Sequence, residues 1–249
     1  MDADGPGRGA PRTEDGPPLT LGARWSALRL AVTVIGSFLA AVVVSTAIAV
    51  ALGIGRRAAQ QRSAEEILFL ALLSDGALLV ALALLGRRLL ALRAADLGLR
   101  RPSLGSLGFA ASAAGGLWLL SILANILQIR AFGQNPQSLI VSVGAHTGPV
   151  ALFLDLVTGA VVAPFAEEIL FRGLIFGGLA QRMPVAAAAA ASALLFAVSH
   201  GLGVVVPIFV LGVGLAYVYA RAGTIWAPMV THGVVNAVSL LLVFAGPKP

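Results

Sequence analysis

Apolar residues fill this chain in long blocks, broken only by short clusters of arginine, glycine and proline. The blocks run over residues 30–53, 67–85, 107–128, 150–179, 185–200, 204–220 and 225–244. Most hold the roughly 20 apolar residues that a helix needs to cross a bilayer. Within the bilayer core every backbone polar group needs an internal partner, so these blocks predict helices. The expected fold class is all-α: a polytopic membrane helical bundle of seven transmembrane helices, with six or eight as the alternatives, around a polar cavity. Residues 1–20 have no periodicity and are rich in Gly, Pro, Asp and Arg, so they predict a disordered tail. Residues 21–145 then hold the N-terminal transmembrane helices and residues 146–246 the remaining ones. The stretch 130–148, with Asn135-Pro136 and His146, reads as a loop or a short interfacial helix.

Composition agrees. The chain has 249 residues, 58% of them hydrophobic, and only 11% are charged; mean hydropathy is +0.93. A soluble domain is nearer a quarter charged. The absence of cysteine excludes disulfides and thiolate metal sites. A net charge of +6 suggests nucleic acid in a soluble protein. Here the arginines cluster at the ends of apolar blocks, where topology and lipid head groups account for them. Their larger share falls on the N-terminal side of the alternating spans, which predicts a cytoplasmic N-terminus. Arginine supplies all but one of the basic residues, a bias read as that of a bacterial genome and hence of a bacterial inner membrane. Trp25, Tyr217, Tyr219 and Trp226 are expected at the membrane interfaces. The partners expected are the bilayer and a membrane-associated protein or peptide, not nucleic acid; oligomeric state is not legible.

Residues 163–173, Ala-Pro-Phe-Ala-Glu-Glu-Ile-Leu-Phe-Arg-Gly, break the apolar pattern in its longest block. Ionisable side chains inside a membrane are costly and mark function by default. Glu168 and Arg172 are four apart and so can pair on one helix face. Glu167 is rotated by about 100° from Glu168 and has no partner on its own helix. A carboxylate left unpaired away from bulk water holds a proton more readily, which suits a general base. His200 follows Phe196 by four residues, and the ring can steady the imidazole. His232 and Asn236, also four apart, aim at one place. A matching stretch, Ala64-Glu65-Glu66-Ile67-Leu68-Phe69, lacks the arginine and is read as coincidence at a helix edge. Asp75 and Asp155 read as polar contacts between helices, Asn125 and Gln128 as hydrogen bonds near a helix end. Gly177, Gly178, Gly212 and Gly214 read as places of close helix approach. His146 has no evident role.

Together these residues point to water activation. Glu167 would deprotonate a water that His200 helps to orient, while His232 and Asn236 face the developing oxyanion. Neither a Gly-x-Ser-x-Gly elbow nor a cysteine offers a covalent route. The rival account is a divalent metal such as zinc held by Glu167, His200 and His232, although His-Glu-x-x-His is absent.

Glu-Glu-x-x-x-Arg at 167–172, Phe-x-x-x-His at 196–200 and His-x-x-x-Asn at 232–236 resemble the three motifs of the CPBP intramembrane proteases. These include the CAAX prenyl endopeptidases and bacterial proteins once named after abortive infection. The stretch Leu97-Gly98-Leu99-Arg100-Arg101-Pro102 is similar to the bacterial members. The resemblance implies an all-helical membrane fold with a cavity open to the cytosolic side, and makes residues 146–246 the catalytic core. It also implies Glu167 as base, His200 as its partner and His232 with Asn236 as the oxyanion site, and it leaves the metal question open. A non-catalytic binding, scaffold or bacteriocin-immunity protein using the same pocket is the alternative. A transporter is disfavoured because no repeat symmetry is visible. In a ladder of straight spans Glu167, His200 and His232 fall at different depths. A bend near Pro164, or a dip of the chain at 201–203, is therefore expected.

Overall fold

The computed structural model describes residues 25–54, 64–133 and 149–246. The tail predicted over 1–20, the arginines at 56, 57 and 62, and His146 lie outside the described residues. Seven helices and no strand occur among those described. They are α1 (Ala27–Ala51), α2 (Ala64–Leu90), α3 (Leu104–Phe132), α4 (residues 149–179), α5 (Val185–Ser199), α6 (Val205–Ala222) and α7 (Trp226–Ala245). α1, α2, α3, α7 and α6 with its leading turn are each long and apolar enough to cross a membrane. This is an integral membrane protein with a helical bundle fold, as the apolar blocks predict.

The other two helices depart from a plain ladder. α5 has 15 residues, about 22 Å at 1.5 Å per residue, and so is too short for a 30 Å core. α4 is one continuous right-handed helix whose bonding changes along its length. Ordinary α-helix over Pro149–Val157 and Ala163–Glu168 alternates with π-helix over Thr158–Val162 and Ile169–Phe176. Extra-wide turns of this kind open a helix and recur at functional sites.

Small residues set the helix contacts, as packing within lipid requires. Thr33, Ser37 and Ala41 form a buried stripe on α1. Gly178 of α4 lies under Leu30 of α1, Gly214 of α6 under Leu117 of α3, and Gly212 of α6 against Ala193 of α5. Three of the four predicted close approaches are thus seen. The segment between α2 and α3 folds back on the bundle. Asp96 caps its short turn by accepting from the Arg93 N–H at 2.9 Å. Leu97 covers Gly173 of α4, and the N–H of Ile225 donates to the Gly98 carbonyl at 3.0 Å. Gly98 has φ +71° and lies against the Tyr219 hydroxyl, so a side chain there would meet both strain and a clash. Tyr219 and Trp25, expected in an interfacial belt, are buried instead. Tyr219 stacks edge-on against Phe176 at 6.1 Å, while Tyr217 is exposed as expected. Glu65 and Glu66 stand in the first turn of α2, where glutamate suits the positive end of a helix.

Candidate active site

The site begins with a missing hydrogen. At the first π turn of α4 the Ala163 N–H bonds to the Thr158 carbonyl, five residues back. In that register the Gly159 carbonyl looks to the amide of residue 164, which is proline and has no N–H. Asn236 of α7 supplies the donor: its Nδ2 reaches the Gly159 oxygen at 2.8 Å. One turn earlier on α7, Gly233 rests on the Ala160 carbonyl so closely that a Cβ would come within 2.5 Å of it. Near Pro164, where a bend is expected from the sequence, α4 instead runs on as a continuous helix with an opened turn onto which α7 docks. His232, just before Gly233 and one turn before Asn236, is thereby brought to face α4.

Glu168 is fully buried and receives two donors on one oxygen. Arg172 Nη1 lies 2.9 Å from Oε1, and His232 Nδ1 lies 2.9 Å from the same atom. The predicted Glu168–Arg172 pair is observed. Arg172 also donates to the Gly212 carbonyl at 3.1 Å, and its guanidinium lies 4.5 Å from the centre of the Phe196 ring. Phe196 is the hub of the cluster. His200 meets it edge-on at 4.6 Å, His232 at 5.7 Å and Phe171 at 5.0 Å. Ser192, a turn before Phe196, donates to the Phe171 carbonyl at 2.8 Å and ties α5 to α4.

Glu167 is the exception. Its carboxylate is 21% exposed and faces two imidazoles: His200 Nε2 at 3.6 Å and His232 Nε2 at 3.7 Å. The Nδ1 atoms of both rings are already occupied. His200 Nδ1 lies 2.8 Å from the Phe196 carbonyl, which only accepts, so Nδ1 carries the hydrogen. His232 Nδ1 donates in the same way to the Glu168 carboxylate. In neutral imidazoles both Nε2 atoms are then acceptors, and they converge with the Glu167 oxygens on one small space. The separations are too long for direct hydrogen bonds and suit a species that carries hydrogens or positive charge between them.

Of the six site residues expected from the sequence, Glu167, Glu168, Arg172, His200 and His232 come together. Asn236 is engaged with the α4 backbone through one amide hydrogen and lines a separate cavity between α3, α6 and α7. His200 and Glu167 are brought level by the short α5. After His200 the chain reverses through Gly201, at φ +96°, and a 3₁₀ turn over Leu202–Val204. The sequence reading missed Ser192, Gly233 and Gly159. Ser192 had a signal, because Ser192, Phe196 and His200 repeat at intervals of four along one helix face. A cavity of about 530 Å³ between α2, α4 and α7 is lined by Leu79, Phe165, Val161, Trp226, Met229 and Val234, and by none of the six expected site residues.

The donor set Glu167, His200 and His232 is that of a zinc site in kind, with Glu168 and the Phe196 carbonyl as outer partners. As placed, no group of three His, Cys, Asp or Glu side chains among the described residues has the spacing to hold a metal.

Comparison with known proteins concerns the same part of the chain. Residues 149–238 match the family model of the type II CAAX prenyl endopeptidase Rce1-like proteins. That stretch runs from α4 into α7 and contains all six expected site residues. The chain is also 30% identical over 93 residues to the protein named Putative membrane peptidase YdiL of Bacillus subtilis (strain 168). The alignment covers 37% of this chain and 38% of that relative, so well under half of the relative is spanned. No solved structure gives a significant match.

Proposed function

We propose, from the premise that residues 149–238 belong to the Rce1-like family of type II CAAX prenyl endopeptidases, that this protein is an intramembrane endopeptidase. The observation that carries the reading is the convergence of the Glu167 carboxylate and two Nε2 atoms on one space. A water held there donates to Glu167 and is oriented by His200. Glu167 takes its proton as the oxygen adds to the substrate carbonyl carbon. The resulting oxyanion faces His232, which takes a proton from solvent on Nε2 before substrate binds, donates from there as an imidazolium and keeps that proton through the cycle. Glu168 on Nδ1 stabilises that cation, as a carboxylate does behind a catalytic histidine. Collapse of the tetrahedral intermediate breaks the C–N bond, and the proton held by Glu167 passes to the leaving amine. Asn236 enters through Gly159, by holding α4 in register.

The substrate in this reading is a membrane-associated protein or peptide, which the apolar cavity between α2, α4 and α7 supports. The protein sits in a bacterial inner membrane with its N-terminus in the cytosol. The chemistry is read without a metal. Dialysis against a chelator then leaves activity unchanged; loss restored by added zinc would replace this with a zinc held by Glu167, His200 and His232.

The test needs no knowledge of the substrate. Wild type and Glu167→Ala are expressed to equal membrane levels, and the termini of membrane-associated proteins are profiled by mass spectrometry. A new terminus present only with wild type is expected. Identical profiles from two folded proteins would favour a binding or immunity role for the pocket.

A further inference from the structure

We infer that Gln128 of α3 is a positioning residue for His200, acting as a clamp on the turn that follows it. The turn has little else to hold it. Gly201 is exposed and has open space where a side chain would begin. None of Leu202–Val204 is buried, and Leu202 is 74% exposed. Packing therefore fixes α5 up to Phe196 and Ala197, both fully buried, and weakens where His200 stands.

Gln128 is 3% exposed, far along α3 from the site-bearing helices in sequence. Its amide makes two bonds of opposite sense. Nε2 donates to the Gly203 carbonyl, and Oε1 accepts from the Val206 N–H at 2.8 Å. Val206 lies in the first turn of α6, where backbone N–H groups have no partner within the helix. A side chain from another helix thus caps α6 and holds the preceding turn at once. In a bilayer neither backbone group could turn to water, so the clamp sets where α6 begins. Since Gly201 is the flexible joint, the start of α6 in turn sets where α5 ends, and His200 is its last residue. Glutamine is the side chain this needs. Asparagine is one methylene shorter, glutamate lacks the donor and methionine lacks both groups.

This rests on the peptidase reading only for turnover. The chain has no cysteine, so Leu202→Cys accepts a nitroxide label at one place, and Ile35→Cys on exposed α1 serves as control. Each is combined with Gln128, Gln128→Glu or Gln128→Met in lipid nanodiscs. The rate of His200 carbethoxylation is read by mass spectrometry on the same proteins. With Gln128→Met, label mobility at 202 and the His200 rate should each rise about threefold or more while the α1 label is unchanged, as for a local opening. Gln128→Glu should fall between. If a cleaved substrate is in hand, kcat should drop about tenfold with KM within about twofold, as for a displaced catalytic group. A change at both labels would make Gln128 a general stability residue and overturn the inference. So would a freer turn with an unchanged His200 rate, or no change at all. Failure to find any cleavage by wild type would count against the peptidase reading and leave the label and His200 results to decide the clamp.

Discussion

Glu168 has an arginine and an imidazole on one oxygen, whereas Glu167, next to it in the chain, faces its two imidazoles among the described residues only at 3.6 and 3.7 Å. Their substitutions should therefore fail differently. Glu167→Gln removes a base and leaves the buried network whole. It should cut turnover by about 10²–10⁴-fold, the range for a general base, with thermal stability in detergent within about 0.5 kcal/mol of wild type. Arg172→Met leaves a buried carboxylate facing one imidazole. It should cost about 3–5 kcal/mol, as breaking a buried pair does, seen as a lower melting temperature and less folded protein in the membrane. The i,i+4 spacing of Glu168 and Arg172 made their pairing legible from sequence, and it left Glu167 as the free carboxylate. The second role of Glu168, as the partner of His232, was not legible. It depends on which way a ring on α7 turns, and no spacing within either helix encodes that.

At the scale of the element, α7 docks on the opened turn of α4 through Gly233 and Asn236. Gly233→Ala should push α7 off the Ala160 carbonyl and carry His232 with it. A loss of activity of tenfold or more, about 1.4 kcal/mol of transition-state stabilisation, is expected with helix content by circular dichroism unchanged. Gly115→Ala on α3 is the matched control, because nothing lies within 4 Å of its new methyl. Asn236→Leu should destabilise the protein by about 1–3 kcal/mol through the unpaired Gly159 carbonyl, measured by thermal denaturation. Seven apolar blocks gave the helices at nearly the right places, since hydropathy over twenty residues averages out local error. The changes of register inside α4 were not legible. A π turn differs from an α turn by one bond, and Pro164 marks only that something must give. The shortness of α5 was visible in the sequence, between Pro184 and Gly201, but its use in raising His200 to the level of Glu167 was not.

At the scale of the whole molecule, the polar cluster is closed on the side of Arg172 and open on the side of Glu167 and His200. The apolar cavity runs between α2, α4 and α7. If a membrane-associated segment lies there during the reaction, filling the cavity should act on binding more than on chemistry. Val234→Trp, on its rim, should raise KM about tenfold, roughly 1.4 kcal/mol of lost binding, with kcat within about twofold. An equal fall in kcat would place the substrate elsewhere. The N-terminal helices pack on those that carry the site residues: α1 rests on α4 at Gly178, and α3 lies against α6 at Gly214.

The bond between Glu168 and Arg172 also bears on how the chain is made. Membrane helices enter the bilayer in the order of synthesis, and α7 emerges about sixty residues after Arg172. An arginine on its own at the centre of a helix costs about 2.5–3.5 kcal/mol on insertion. Because its counter-ion sits one turn away on the same helix, Arg172 can enter the lipid already paired. His232, Gly212 and the Phe196 ring then find a preformed ion pair rather than a bare charge. The pair that finally steadies an imidazole is thus first of all a passport for its helix.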